Sequence, residues 1–305
     1  MSKTMSKKQH FTIGFDPEVF VAKPNGEIVS SIPVLKRDKH NPIILDKSND
    51  IKTYADNLLL EVSFRPSRSK KELLDVFSET LQKTQKFLGK DYRLMVKSAH
   101  HFKDEEVKKA FEIDPSEIGC TPDFDVYKKC IKDLGRFENN MRSGSCHLHV
   151  SHPILEEVEM KEVAVRILEI YVGLSSIIWD NDDTSLERRQ KYGKAGSFRM
   201  PAHGGIEMRC LGNYALNSPS LIGLVYDLTD YGMQHILNGT YKNILSLINE
   251  DDVQNAINNC NKQLCEDLLI KASLPTDLFN RVKSQGTQKY NTNEFYREWN
   301  IKINE

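Results

Sequence analysis

The sequence lacks most of the features that mark a common protein class. Its 305 residues include six cysteines but no CxxC pair, so neither a zinc ribbon nor a thioredoxin-type redox motif is available. Scattered thiols in a chain of this length do not build a disulfide framework, and reduced cysteines in a cytosol are expected. Charge of one sign is not in excess. The net charge is −1 with 28% charged residues, which argues against a general nucleic-acid surface or a polybasic membrane patch. No apolar run approaches the roughly 20 residues needed to cross a bilayer. Residues 1–10 are polar and basic without an apolar centre. They read as a disordered leader, with Met5 as an alternative start, and not as a secretory signal. Repeats and low-complexity tracts are missing. So are GxxxxGK[ST] and the kinase-type glycine loop, which removes the common nucleotide folds. What is present, 39% hydrophobic residues, suffices for one large domain or two small ones.

The most informative stretch is Arg142-Ser143-Gly144-Ser145-Cys146-His147-Leu148-His149-Val150-Ser151. A glycine-serine turn enters six alternating residues. Side chains on a strand point to opposite faces with period two. His147, His149 and Ser151 therefore share a polar face, while Cys146, Leu148 and Val150 share an apolar one. The two histidines lie about 7 Å apart at Cα, close enough to reach one metal or two adjacent ligand groups. A half-buried strand with solvent-facing histidines would give the same pattern. Cys146 packs on the apolar side and is expected to be inert, since a nucleophile needs an activating base on its own face.

Around this strand the chain offers further elements. Phe11–Ala22 reads as a strand carrying Asp16 and Glu18 on one side, with Pro17 marking an edge, bulge or break. Ile28–Val34 reads as a short strand after a Pro-Asn-Gly turn. Thr53–Phe64 reads as one strand, with Asn57, Leu59 and Glu61 on one face and Asp56, Leu58 and Leu60 on the other. A carboxylate at Glu61 within so apolar a run needs solvent or a cation. Ser69-Lys70-Lys71-Glu72 is a capping box opening a helix that stops at Gly89. Residues 100–133 read as a polar surface excursion. Glu156–Trp179 is apolar around most of its circumference and reads as a buried helix, ending in a solvated acidic loop at 180–183. Residues 188–201 read as a basic, glycine-containing ligand loop, in which Arg188 and Arg189 could equally be solvated. Gly205–Leu211 is a strand with Glu207 and Arg209 on one face, open to the simpler reading of a surface ion pair. Asn217-Ser218-Pro219 starts a helix to about Leu237. The elements do not alternate as βαβ, which favours an α+β fold with a largely antiparallel sheet. The expected organisation is a leader over 1–10, one domain over 11–240, and a polar helical extension over 241–305 packed on that domain.

Four strands thus present Asp16/Glu18, Asn57/Glu61, His147/His149 and Glu207/Arg209, and a loop supplies Lys194 and Arg199. Carboxylates with imidazole and few thiols favour Mg²⁺ or Mn²⁺ over structural zinc. Arg and Lys on a loop suit the oxygens of a transferring phosphoryl group. Together they are the parts of a two-metal nucleotide site.

The same residues carry a family resemblance. Gly144–Ser151 resembles the GSGMHxHxS strand of glutamine synthetase. Gly193–Pro201 resembles its arginine loop, ending S-x-R-x-P. Ile206-Glu207-Met208-Arg209 with Asn217-Ser218-Pro219 resembles its IExR strand and the following helix start. Gly14-Phe15-Asp16-Pro17-Glu18 sits where that fold has its first acidic strand. The pattern is more similar to the glutamine-synthetase-like carboxylate–amine ligases of bacteriophages and bacteria, the phage-type COOH–NH2 ligases or amidoligases. These share GxDPE, DNxxxE, GSGxHxHV, a YGKxGxFR-like loop and a late ExR, in this order. The resemblance spans Gly14 to about Leu237.

The resemblance implies a curved, largely antiparallel sheet flanked by helices, as in the glutamine synthetase catalytic domain. It implies ATP and two Mg²⁺ or Mn²⁺ ions as cofactors. His147 would bind one metal with Glu207 and Asp16. Glu18 and Glu61 would hold the second, with Asn57 near it. His149 would contact the nucleotide phosphates, Arg199 and Lys194 would steady the γ-phosphoryl group, and Arg209 would hold phosphate or the substrate carboxylate. ATP would phosphorylate a carboxylate, and an amine would displace phosphate from the acyl phosphate. Partners would be small-molecule or peptide carboxylates and amines, without nucleic acid or membrane. The place would be the cytoplasm, that of the host if the chain is phage-encoded. Oligomers are known in the parent fold, and the oligomeric state stays open. Several positions depart from glutamine synthetase: Asp16 with Pro17, Lys194 where an arginine is expected, and Gly205 in place of another. A peptide or amino-acid amine is therefore a better fit than ammonia. Alternatives are a carboxylate or guanidino kinase on the same scaffold and a non-catalytic nucleotide- or metal-binding phage protein. A zinc hydrolase using His147 and His149 lacks a third His or Cys at a sensible spacing.

Overall fold

The computed structural model describes residues 11–113, 123–132, 140–202 and 204–303; the expected leader lies outside them. The strands are Thr12–Ala22 (β1), Ile28–Val29 (β2), Ile43–Asp46 (β3), Ile51–Asp56 (β4), Leu59–Ser63 (β5), Arg93–Met95 (β6), Ala99–His101 (β7), Asp123–Asp125 (β8), Cys130–Lys132 (β9), Met141–Ser143 (β10), Cys146–Ser151 (β11), Ser197–Arg199 (β12) and Ile206–Met208 (β13). Eleven of them form one sheet in the order β3-β4-β5-β1-β11-β13-β12-β8-β9, with β2 and β6 also on β1. Every pairing among the described residues is antiparallel. Helices flank this sheet, giving a mixed α/β architecture. No helix among the described residues is long and apolar enough to cross a membrane.

The first strand holds the centre, and Pro17 does not break it. Pairing with β11 runs from Thr12 to Pro17, and pairing with β5 starts at Glu18. Glu18 gives its amide to Ser145 on the β11 side. Successive residues alternate sides, so the donor Pro17 lacks would point to the β5 side, where the pairing begins only at the next residue.

Three local readings change. Thr53–Phe64 is a hairpin and not one strand: Asn57 adopts φ +53, a left-handed conformation that Asn tolerates better than most residues, and the chain reverses so that Tyr54 faces Glu61. Ile28–Val34 divides into β2 and a short helix, Ile32–Leu35. The capping box is half made: Ser69 accepts from the Glu72 amide, while the Glu72 carboxylate takes the Arg68 amide and the Arg65 guanidinium.

The apolar sheet face packs on helices. Phe77, in the helix Lys70–Leu88, meets Phe15 and Phe64 edge-on and stacks with Trp299, centroids 5.6 Å apart. The region beyond residue 241 reads as polar, yet it contributes to the same core. Five helices follow there. Phe295, Tyr296 and Trp299 are buried, and Trp299 gives its indole N–H to the Leu216 carbonyl. One cluster of buried apolar residues runs from Phe11 to Ile301.

The acidic loop at 180–183 is not simply solvated. Asp182 accepts the amides of Ser98 and Thr184, and Thr184 accepts that of Ala99, so the loop anchors the start of β7. Residues 185–191 form a helix whose two arginines are buried. Arg188 donates to the carbonyls of Gly144 and Leu211 and to the Ser145 hydroxyl. Arg189 donates to the carbonyls of Gly193 and Cys210. Both hold the backbone that leads into the site. Replacing Arg188 by alanine strands the Gly144 carbonyl and the Ser145 hydroxyl, while the Leu211 carbonyl keeps the Cys146 amide, and each stranded group costs about 1–3 kcal/mol. The expected loss in urea-denaturation stability is at least about 2 kcal/mol. Lysine restores little of it, lacking the planar fork that reaches several acceptors at once.

Candidate active site

Cross-strand partners in an antiparallel sheet project to the same face, and the register gathers nearly all the chemistry on one side. Across the sheet, Tyr54 pairs with Glu61 and Glu61 with Glu18. Asp16 pairs with His147. Further along, His149 pairs with Glu207 and Glu207 with Arg199. The opposite face carries Phe15, Leu148, Met208 and Phe198, all buried. The alternation that makes a core on one side therefore makes a polar floor on the other.

Two donor groups stand on this floor. In one, single ligand atoms of Asp16, His149 and Glu207 lie within 4.8 Å of one another. In the other, Glu18, Asp56 and Glu61 do the same. Asp56 joins because the hairpin turn puts it on the face of Tyr54 and Glu61. Asn57, expected beside the second metal, sits in the turn itself and accepts from Arg142 Nε at 2.8 Å.

His149 reaches Asp16 Oδ2 at 3.1 Å. His147 is only 2% exposed, with Nδ1 3.3 Å from Asp16 Oδ1 and 3.6 Å from Glu207 Oε1. Its Nε2 is 3.1 Å from the Tyr192 hydroxyl. That hydroxyl also takes a hydrogen bond from Arg209. The expectation gives His147 to metal and His149 to phosphate, whereas the close donor triad contains His149.

Arg209 is as buried as His147. It engages Glu207 and Tyr192, and its Nε lies 3.0 Å from Asp123 Oδ1. Expected to hold phosphate or a substrate carboxylate, it braces the floor from beneath. Arg199 is partly exposed, 3.3 Å from Asp123 and 3.7 Å from Glu207. Lys194 is exposed on the turn that precedes β12. That turn is fastened from below: the Ala195 amide goes to Asn258 and the Gly196 amide, at 2.6 Å, to Glu169.

Glu169 is fully buried. It opens the π-helical segment Glu169–Gly173 inside the long apolar helix, and it also bonds the Tyr127 hydroxyl. Two glycines are fixed by close approach. A Cβ on Gly144 would come within 2.1 Å of Asn213 and 2.6 Å of the Lys97 carbonyl, so packing is reason enough for that glycine. A Cβ on Gly205, which has φ +77, would meet the Val150 carbonyl at 2.4 Å. No arginine fits there.

The electrostatics show what the floor wants. Burial, with Asp56 beside it, pushes Glu18 up to about 8. Burial and the neighbouring Asp56, Asp16 and Glu18 push Glu61 well above the usual range, even though it accepts the Tyr54 hydroxyl. Burial and Asp16 push Glu207 up to about 7. Burial also works to raise Asp16, but His147 and His149 outweigh it and hold that carboxylate well below the usual range. Burial, then Arg209, depresses His147 to about 3. For His149, burial acts downward and Asp16 overrides it, raising the imidazole. Crowded carboxylates that hold protons for want of counter-charge, with one imidazole among them, fit hard divalent cations.

Sequence reasoning missed Asp56, Tyr192, Asp123 and Glu169. Asp56 could have been found, since Asp-Asn is a turn signal. Glu169 could have been found as a lone acid in an apolar helix. Tyr192 opens the YGKxGxFR-like stretch, but its contacts with His147 and Arg209, like those of Asp123 with Arg209, come only from long-range packing.

No curated protein matches the chain. Among solved structures, a bifunctional glutathione synthetase from Pasteurella multocida is similar at 11% identity and a TM-score of 0.45, over 95% of this chain and 48% of that one. The chain thus spans about half that protein's length. Residues 139–281 match the family model described as "Phage phiEco32-like COOH.NH2 ligase-type 2", so the segment that supplies His147, His149, Lys194, Arg199, Glu207 and Arg209 is that to which this family is similar.

Proposed function

We propose that the chain is an ATP-dependent carboxylate–amine ligase with a glutamine-synthetase-like catalytic sheet, working through an acyl phosphate. The observation that supports this most is the gathering of two acid-rich donor groups, Asp16/His149/Glu207 and Glu18/Asp56/Glu61, on one sheet face beside Arg199. A divalent ion in each group would neutralise phosphate charge and polarise the γ-phosphoryl group. The protein's own part is placement and charge. Asp16, His149 and Glu207 form one ligand set, and Glu18, Asp56 and Glu61 the other. His147, pinned by Tyr192, orients Asp16. Arg209 and Asp123 brace Glu207 and Arg199. Arg199 and Lys194 face the γ-phosphoryl oxygens.

In the first step a substrate carboxylate oxygen attacks the γ-phosphorus and ADP leaves. In the second, an amine attacks the acyl carbon, phosphate leaves, and the amine loses a proton. The carboxylate and amine are small molecules or peptides. The chain would act in a cytoplasm, the host's if it is phage-encoded.

The test is ADP release with Mn²⁺ and a panel of carboxylates, with hydroxylamine as trapping amine. The ligase reading expects carboxylate-dependent ADP formation with hydroxamate accumulating in equal amount. A stable phosphorylated product without hydroxamate would replace it with a kinase.

Glu169 gives a second check on the turn that carries Lys194. Glu169→Ala frees the Gly196 amide, and the loss of one charge-assisted bond costs about 1.5–3 kcal/mol. The KM for ATP is expected to rise on the order of tenfold or more. Glu169→Gln, which keeps an acceptor, recovers most of it.

A further inference from the structure

A cavity of about 590 Å³ opens beside the turn that carries Asn57. Ala55 lines it, and Ala55 alternates along β4 with Tyr54 and Asp56. The cavity therefore lies across that strand from the carboxylates of the candidate active site. Ile32, Ala55 and Ala110 supply apolar wall, and Lys36, Arg37 and Lys109 stand around them. Two acids also border the cavity, each holding backbone amides, so three cations against two acids leave one positive charge in excess. Asp38 accepts from His40 and Asn41, and Glu106 from Ser30 and Lys103. Among the described residues, no ion pair engages the three cations. The volume lies within the range of small-molecule sites, and such sites combine apolar wall with a few convergent polar groups.

We propose that this cavity binds an organic anion: an apolar body against Ile32, Ala55 and Ala110, with a carboxylate or phosphate held by Lys36, Arg37 and Lys109. The body is of dipeptide or nucleoside size. Binding here needs neither ATP nor metal, so it stands or falls apart from the ligase reading. Asn57 is shared ground, since it lines the cavity and holds Arg142 at the end of the hairpin that carries Asp56.

The test is calorimetric titration of the full chain in metal-free buffer with hippurate, phenyl phosphate and neutral benzamide. One anion is expected to saturate a single site, more weakly at high salt, with benzamide at least tenfold weaker. The tighter of the two anions assigns carboxylate or phosphate. Lys36→Glu with Lys109→Glu changes exposed side chains and leaves the fold intact, and it is expected to weaken that binding at least tenfold. Arg199→Gln is expected to leave it unchanged. Failure of both anions to saturate at millimolar concentration would overturn the proposal. So would binding that survives the charge reversal and disappears in Arg199→Gln.

Discussion

Glu61→Gln is expected to lower carboxylate-dependent ADP release by a factor on the order of 10²–10³, the range seen when a charge-stabilising group is removed from an active site. The fold should survive, and for a specific reason. Without metal, burial and three neighbouring carboxylates already drive Glu61 toward its neutral form. Glutamine resembles that neutral acid and keeps an oxygen for the Tyr54 hydroxyl, which Glu61 accepts through Oε1. A metal-free Glu61→Gln protein should therefore melt no lower than the parent, while its Mn²⁺-induced rise in Tm shrinks. Activity assays beside melting curves with and without Mn²⁺ check both halves. Wild-type turnover in a well-folded variant would remove Glu61 from the chemistry.

The second large effect is on stability against pH. Glu18 at about 8 and Glu207 at about 7 lie above the usual 4.5, so the folded chain binds more protons than the unfolded one over that interval. Stability from such groups is present below 4.5 and is lost as pH rises through the folded values. His147, depressed to about 3 from 6.5, acts the other way but only below 6.5. His149, raised, adds to the carboxylates. Between pH 6.5 and about 8 the opposing His147 contribution fades, and those of Glu18, Glu207 and His149 share a sign. The metal-free protein should lose stability as pH rises, by at most about 1.4 kcal/mol per pH unit for each extra proton bound. In the proposed two-metal site Mn²⁺ would displace those protons, so its affinity should climb over the same interval. Urea midpoints at pH 6.5, 7.2 and 8.0, with and without Mn²⁺, give the answer.

Much of this was legible in the sequence because a strand's period of two is a strong rule. Cys146–Ser151 alternates so cleanly that the polar face of His147 and His149 and the apolar face of Leu148 follow directly. The antiparallel sheet, the helix beginning at Pro219 and the gathering of Asp16, Glu18, Glu61 and Glu207 follow from the same kind of reading. What escaped depends on distance along the chain or on a turn without glycine. The reversal at Asn57 puts Asp56 beside Glu18 and Glu61 and turns the Asn57 side chain to Arg142. Arg188 and Arg189 look like loop charges until the carbonyls they hold, many residues away, are in view. Phe295 and Trp299 lie in a polar stretch, and only the fold shows them buried, with Trp299 stacked on Phe77.

The central claim is that two divalent ions share this face, one per donor group, with His149 and not His147 as the nitrogen ligand. Mn²⁺ binding, counted by electron paramagnetic resonance at pH 8, tests it most directly. The account predicts two ions per chain. Glu61→Gln should remove one, Glu207→Gln the other, and His149→Ala should weaken the same ion as Glu207→Gln, with His147→Ala weakening it less. A single ion lost equally in all four variants, or two ions indifferent to them, would contradict it.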